Sequence, residues 1–168
     1  MSDSCWLPEL MLFAEFDNNW TEYENALYKV FKNDFIDSKP YFEGQGVFIR
    51  KYPMEFDKED AFFHVTCQDF EKNKNREPDF RRCERIKWIR SFIENYKCDP
   101  SLCENCDGIK VWKEPYKNGY RVNLLFEEER FIVILEPRER YCLLIKAFYI
   151  TYQHQLEKRL KKYYKYSY

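Results

Sequence analysis

Between residues 109 and 152 the chain alternates apolar stretches with short polar turns, and this pattern limits the fold more than any other feature of the sequence. The stretches read "IKVWKEP", "GYRVNLLFEE", "RFIVILEP" and "RYCLLIKAFYITY", and the turns between them "YKNG", "EE" and "RE". Short runs rich in Val, Ile, Phe and Tyr favour strands. Parallel neighbours need a crossover of about a dozen residues or more, so connections this short predict an antiparallel meander.

The first half follows a different period. "NNWTEYENALYKVFKNDF" places Tyr23, Ala26, Leu27, Val30 and Phe31 on one helical stripe, with Thr21 and Glu24 spaced as a capping box. Pro40, Gly44 and Gly46 punctuate a turn region, and "VFIRKY" reads as a short strand. "DAFFHVT" also reads as a strand, which would put Phe62, His64 and Thr66 on one face and Ala61, Phe63, Val65 and Cys67 on the other. Asp79 is placed to cap a second helix, "FRRCERIKWIRSFIENY", with Phe80, Cys83, Ile86, Ile89, Phe92, Ile93 and Tyr96 as its buried stripe. "HQLEKRLKKYYKYSY" closes the chain as a basic helix. The expectation is an α+β fold, with N-terminal helices packed on a four- to five-stranded antiparallel sheet and a basic C-terminal helix.

At 168 residues, 45% hydrophobic and 20% aromatic, the chain suits one domain with a core of its own, residues 1–168, of which 1–44 form an N-terminal helical part. The formal net charge of -1 argues against a globally basic nucleic-acid binder. The charge is unevenly spread, however. Residues 1–79 hold 9 Lys and Arg against 17 Asp and Glu, and residues 80–168 hold 19 against 12, so an anionic partner is expected to meet the second half. No segment approaches the roughly 18 consecutive apolar residues of a membrane span, and "MSDSCWLPEL" lacks the features of a secretory signal. A cytoplasmic protein with no membrane partner is expected, and its seven cysteines are read as free thiols or metal ligands rather than disulfides.

Several residues have the chemistry of an RNA-cleaving site. Arg81, Arg82, Arg85 and Trp88 fall on one flank of the second helix, where guanidinium forks suit phosphate oxygens and an indole suits a base. An ordinary solvated arginine face with Trp88 at the core edge has the same spacing. Arg138 and Arg140 sit at a turn, and Lys146 lies in an apolar strand, where it faces a polar cleft or guards a sheet edge. Cleavage without a metal needs a proton acceptor for the 2′-hydroxyl, a donor for the leaving 5′-oxygen and cations for the transition state. His64, one of only two histidines, fits the first role. Cys98, Cys103 and Cys106 in "CDPSLCENC" are spaced to supply three zinc thiolates, but a fourth ligand is not local, so reduced thiols, no metal and no cofactor are expected.

"FFHVT", "REPDFRRCERIKWIRSFIEN" and "ERYCLLIKAFYITYQHQLEKRLKKY", in that order over roughly residues 45–165, resemble a phage-associated branch of the barnase, EndoU, colicin and RelE (BECR) group of nucleases. The resemblance implies that residues 45–168 form a nuclease-like core, a toxin-type ribonuclease that needs no metal and binds RNA on its sheet. It implies His64 as general acid/base, Thr66 as its neighbour, Arg82 and Arg85 as phosphate ligands with Arg85 in the catalytic group, and Trp88 as a helix anchor beside substrate. Where the group has a polar position in its last strand this chain has "KAFYIT", so Lys146, Tyr149 or Thr151 stands in, with Arg138 and Arg140 also on the substrate side. RNA is then the expected partner, together with an inhibitor (antitoxin) protein. The alternative is a non-catalytic RNA- or protein-binding module on the same fold, and the discriminating feature is whether His64, the helix arginines and Lys146 share an open cleft.

Overall fold

The computed structural model describes residues 6–68, 76–98 and 108–167. Strands β1 (Tyr41–Phe42), β2 (Gln45–Phe48), β3 (Lys110–Tyr116), β4 (Gly119–Phe126), β5 (Phe131–Pro137) and β6 (Cys142–Tyr149) form one sheet in the order β1-β2-β6-β5-β4-β3. The four C-terminal strands are the antiparallel meander that the turns predict. The complete sheet differs from the expected antiparallel one because the β1–β2 hairpin joins it through a parallel pairing of β2 with β6, Val47 opposite Cys142. The sheet is therefore six-stranded and mixed. A parallel neighbour is possible here because β2 and β6 are joined through the whole intervening chain rather than a short turn.

Alternation along the strands gives each sheet face its own cover. Leu124, Phe126, Phe131, Val133 and Leu135 pack with α1 (Trp20–Lys32) and with Ile86, Ile89 and Phe92 of the later helices in one large core. On the opposite face Trp112, Leu125, Ile132 and Ile134 meet Leu156 of the C-terminal helix, Gln153–Tyr166. That helix presents Leu160 and Tyr163 to the same cluster at helical spacing, which leaves its lysines toward water. Helix α1 is capped by Asn19, whose Oδ1 accepts from the Glu22 amide, and not by the expected Thr21–Glu24 box.

Two other local expectations change. "DAFFHVT" is not a strand but helix α2, Asp60–Thr66, with Ala61, Phe62, Phe63, Val65 and Thr66 all buried. An apolar run this short suits a buried helix as well as a strand, and packing decides between them. Here α2 lies against β6. In a helix, residues two apart point to different sides, so Thr66 does not share a face with His64. Its Oγ1 instead donates to Phe62 O at 2.8 Å, inside the core.

The second helix is two. Asp79 caps α3 (Phe80–Glu84) as expected, its Oδ1 accepting from the Arg81 and Arg82 amides. The chain then leaves helical geometry at Arg85 (φ −106°, ψ 18°) before α4 (Ile86–Glu94), and the Arg85 amide closes a tighter turn onto Arg82 O. The C-terminal helix is thus α5. No helix among the described residues is long and apolar enough to cross a membrane.

Candidate functional site

Asp60 opens α2 and His64 follows it by one turn, so the helix itself brings the two side chains together. His64 Nε2 lies 3.1 Å from Asp60 Oδ2. The carboxylate is almost fully buried, and its other oxygen accepts from Arg76 at 2.5 Å, so both oxygens are held. A carboxylate only accepts, which places the proton of the neutral imidazole on Nε2 and leaves Nδ1 as the basic nitrogen. The His64 side chain remains 36% exposed, enough to be reached from solvent.

The imidazole opens onto a cavity of about 180 Å³ between α2 and β6. Arg50, Arg121 and Lys146 are its other charged walls, with Ala61, Leu144 and Ile145 completing it. Lys146 belongs there because β6 is bulged: Ile134 pairs with Lys146 but Leu135 with Leu144, which leaves Ile145 as the extra residue. A bulge of this kind re-aims the side chains beside it. The lysine Nζ also sits 5.2 Å from the Phe148 ring centre.

A second cavity, about 630 Å³, adjoins the first and shares Arg50 and Arg121 with it. Glu136 organises its floor. Its Oε1 accepts from Arg121 Nε at 3.1 Å and its Oε2 from Arg138, so one carboxylate fixes two guanidinium groups. Burial pushes the Glu136 carboxyl up, but the hydrogen bonds from Arg138 and Arg121 and their charges outweigh it and hold the group below the usual carboxylate range. A depressed carboxyl contributes stability that is full above its unfolded value, near 4.5, and is lost as pH falls through the folded value. Glu136→Gln should therefore lower the melting temperature at pH 7, and the gap to the parent protein should close as the pH is taken from about 5 toward 2 in a thermal-melt series. A gap constant with pH would mean that the carboxylate charge contributes nothing.

Of the remaining sequence-predicted residues, all but Arg138 lie elsewhere. Arg82 is buried, with its Nη1 2.5 Å from Cys67 O and its Nε 3.3 Å from Asp79 Oδ2. Arg85 pairs with Glu84 and lies over the rings of Trp88 and Tyr149. Trp88 is a core residue whose Nε1 donates to Pro8 O. Thr151 is exposed after β6 and Arg140 is exposed at the β5–β6 turn, while Arg138 lines the larger cavity. The structure thus joins His64, Lys146 and Arg138 to one continuous concave surface and leaves Thr66, Arg82, Arg85, Trp88, Tyr149, Thr151 and Arg140 off it.

Sequence reasoning missed Asp60, Arg50 and Arg121. The pair Asp60–His64 has a signal only if the segment is read as a helix. Arg121 and Asn123 share one face of an otherwise apolar strand, a legible clue that this end of the sheet turns polar. Among the cysteines, Cys67, Cys83 and Cys142 are buried, and burial pushes the Cys142 thiol up to about 12 and the others upward too, so none is an activated nucleophile. Cys98 is described, whereas Cys103 and Cys106 lie outside the described residues. Among the described residues no group of three or more His, Cys, Asp or Glu could hold a metal. No family model, curated protein or solved structure matches the chain, so the functional reading rests on the geometry of this surface.

Proposed function

We propose that the protein is a ribonuclease that cuts single-stranded RNA by attack of the 2′-hydroxyl on the adjacent phosphate. The observation that supports it is the cavity in which a carboxylate-held imidazole faces three cations, Arg50, Arg121 and Lys146. Nδ1 of His64 takes the 2′-hydroxyl proton, and the hydroxyl oxygen bonds to phosphorus as the bond to the 5′-oxygen breaks. The three cations stabilise the charge that builds on the phosphoryl oxygens, in a recess partly screened from water. Lys146, an ammonium with protons to give, is the acid nearest to hand for the departing 5′-oxygen. The products are a cyclic 2′,3′-phosphate and a free 5′-hydroxyl.

Incubation of the purified protein with end-labelled RNA in EDTA tests this. Fragments ending in cyclic phosphate are expected, and intact RNA would overturn the reading in favour of a binding module on the same cleft. Phosphate contacts are read separately from the salt dependence of binding. Arg121→Ala should lower the slope of log K against log salt by roughly 0.7, the share of one phosphate on a single strand, for all sequences alike. Arg85→Ala should leave the slope as it is, because that guanidinium is largely buried and lines neither cavity, whereas Arg121 lines both. The opposite pattern would move the RNA path from the cleft to the α3–α4 corner. A toxin role with a dedicated inhibitor protein is the biological setting we propose for such an activity.

A further inference from the structure

The larger cavity has features that an acid/base site does not use. Besides Arg50 and Arg121 it is lined by Lys117 and Arg138, so four cations face it against the single carboxylate of Glu136. Glu136 holds Arg121 and Arg138 in fixed orientations, and Arg138 is still 45% exposed. Preorganised guanidinium groups of this kind suit phosphate oxygens. Lys117 stands at the tip of the two-residue turn between Tyr116 and Gly119 in a left-handed conformation (φ 51°), a place where Gly or Asn is usual, and its ammonium lies 5.4 Å from the centre of the Tyr116 ring.

The aromatic groups point to more than an anion. The Arg121 guanidinium lies 3.5 Å from the centre of the Tyr116 ring, so ring and cation form a layered platform. The Tyr116 ring remains more than a third exposed. Flat π-surfaces next to cations suit a base joined to a phosphate, and about 630 Å³ lies in the usual range for a small-molecule site.

We infer that this cavity is a nucleotide subsite, in which the nucleotide flanking the cut bond stacks its base on the Tyr116–Arg121 platform and rests its phosphate on Arg138 and Lys117. The inference rests on the ribonuclease reading for its placement beside a cut bond. The continuity is structural: Arg50 and Arg121 wall both cavities, so one strand crossing His64 reaches the second cavity without leaving the surface. The cleavage site then requires at least one nucleotide beyond the reacting pair on that side, which makes single-stranded oligonucleotides the substrate class.

The test is titration calorimetry of the full chain at low salt with inorganic phosphate, ribose 5-phosphate, the four nucleoside 5′-monophosphates and a glutamate-rich peptide. Nucleoside monophosphates should bind about ten-fold or more tighter than the two phosphates without a base, the usual worth of one stacked base. Tyr116→Leu should remove that preference, Tyr116→Phe should retain it, and Arg138→Gln should weaken phosphate and nucleotides together. Equal affinity for phosphate and nucleotides, a preference unchanged in Tyr116→Leu, or tighter binding of the acidic peptide would each overturn the subsite. The retained ring in Tyr116→Phe controls for damage to the hairpin. RNA cleavage that depends on His64 but comes with no nucleotide preference sinks the subsite alone. A nucleotide preference with RNA left uncut sinks the ribonuclease reading and, with it, the placement beside a cut bond.

Discussion

His64→Ala should lower the rate of RNA cleavage by about two to four orders of magnitude, the usual worth of a positioned acid/base group. The melting temperature should move by only a few degrees. The imidazole is partly exposed, alanine is the better helix former, and the Asp60 carboxylate that loses His64 keeps its pairing with Arg76. The loss should fall on kcat with RNA affinity nearly retained, because Arg50, Arg121 and Lys146 still line the cleft. A mutant as active as the parent protein would remove His64 from the mechanism. A mutant that melts far lower would show instead that the Asp60–His64 pair holds α2 in place.

Arg82→Ala should cost the fold about 2–4 kcal/mol. The guanidinium is buried between α2 and α3 and donates to Cys67 O and, at 3.4 Å, to His64 O, both at the C-terminal end of α2. A cation there also offsets the negative end of the helix. Removing it leaves two carbonyl groups without a donor and strips Asp79 of its ion pair, although Asp79 still caps α3. For a chain of 168 residues the cost corresponds to roughly 5–15 °C in melting temperature, read by calorimetry or urea titration. Arg82→Lys should recover only part, since one ammonium cannot span the same acceptors as the planar fork. An unchanged melting temperature with lost RNA affinity would return Arg82 to the phosphate-binding role that the nuclease resemblance implies.

These two residues also show how far the sequence could be read. His64 was legible as the group to test because a histidine in an apolar run stands out, but its partner was not. Read as a strand, the segment pairs His64 with Thr66; folded as a helix, it pairs His64 with Asp60 four residues back. The apolar residues of "AFFHVT" allow either, and the choice is made by α2 packing beside β6 and α3. The arginines of "FRRCERIKWIR" were legible as a cluster but not as a surface. Helical spacing says which residues share a flank; it does not say which flank the core will take, and the break at Arg85 adds a rotation that no capping rule announces.

What the sequence determined by itself is local: the four-strand meander with its turns, the helix over residues 20–32, the Asp79 cap and the basic amphipathic helix at the end. Each depends on side-chain period and turn chemistry within a few neighbouring residues, which any short window contains. The tertiary structure alone decided that β2 runs parallel beside β6, that Arg82 is sealed inside, and that Arg50, His64, Arg121 and Lys146 meet in one cleft. Those four come from a loop, a helix and two strands, and their encounter depends on how apolar faces far apart in the chain bury one another. Burial energy rewards the total area removed from water and leaves no mark at the polar positions it happens to bring together.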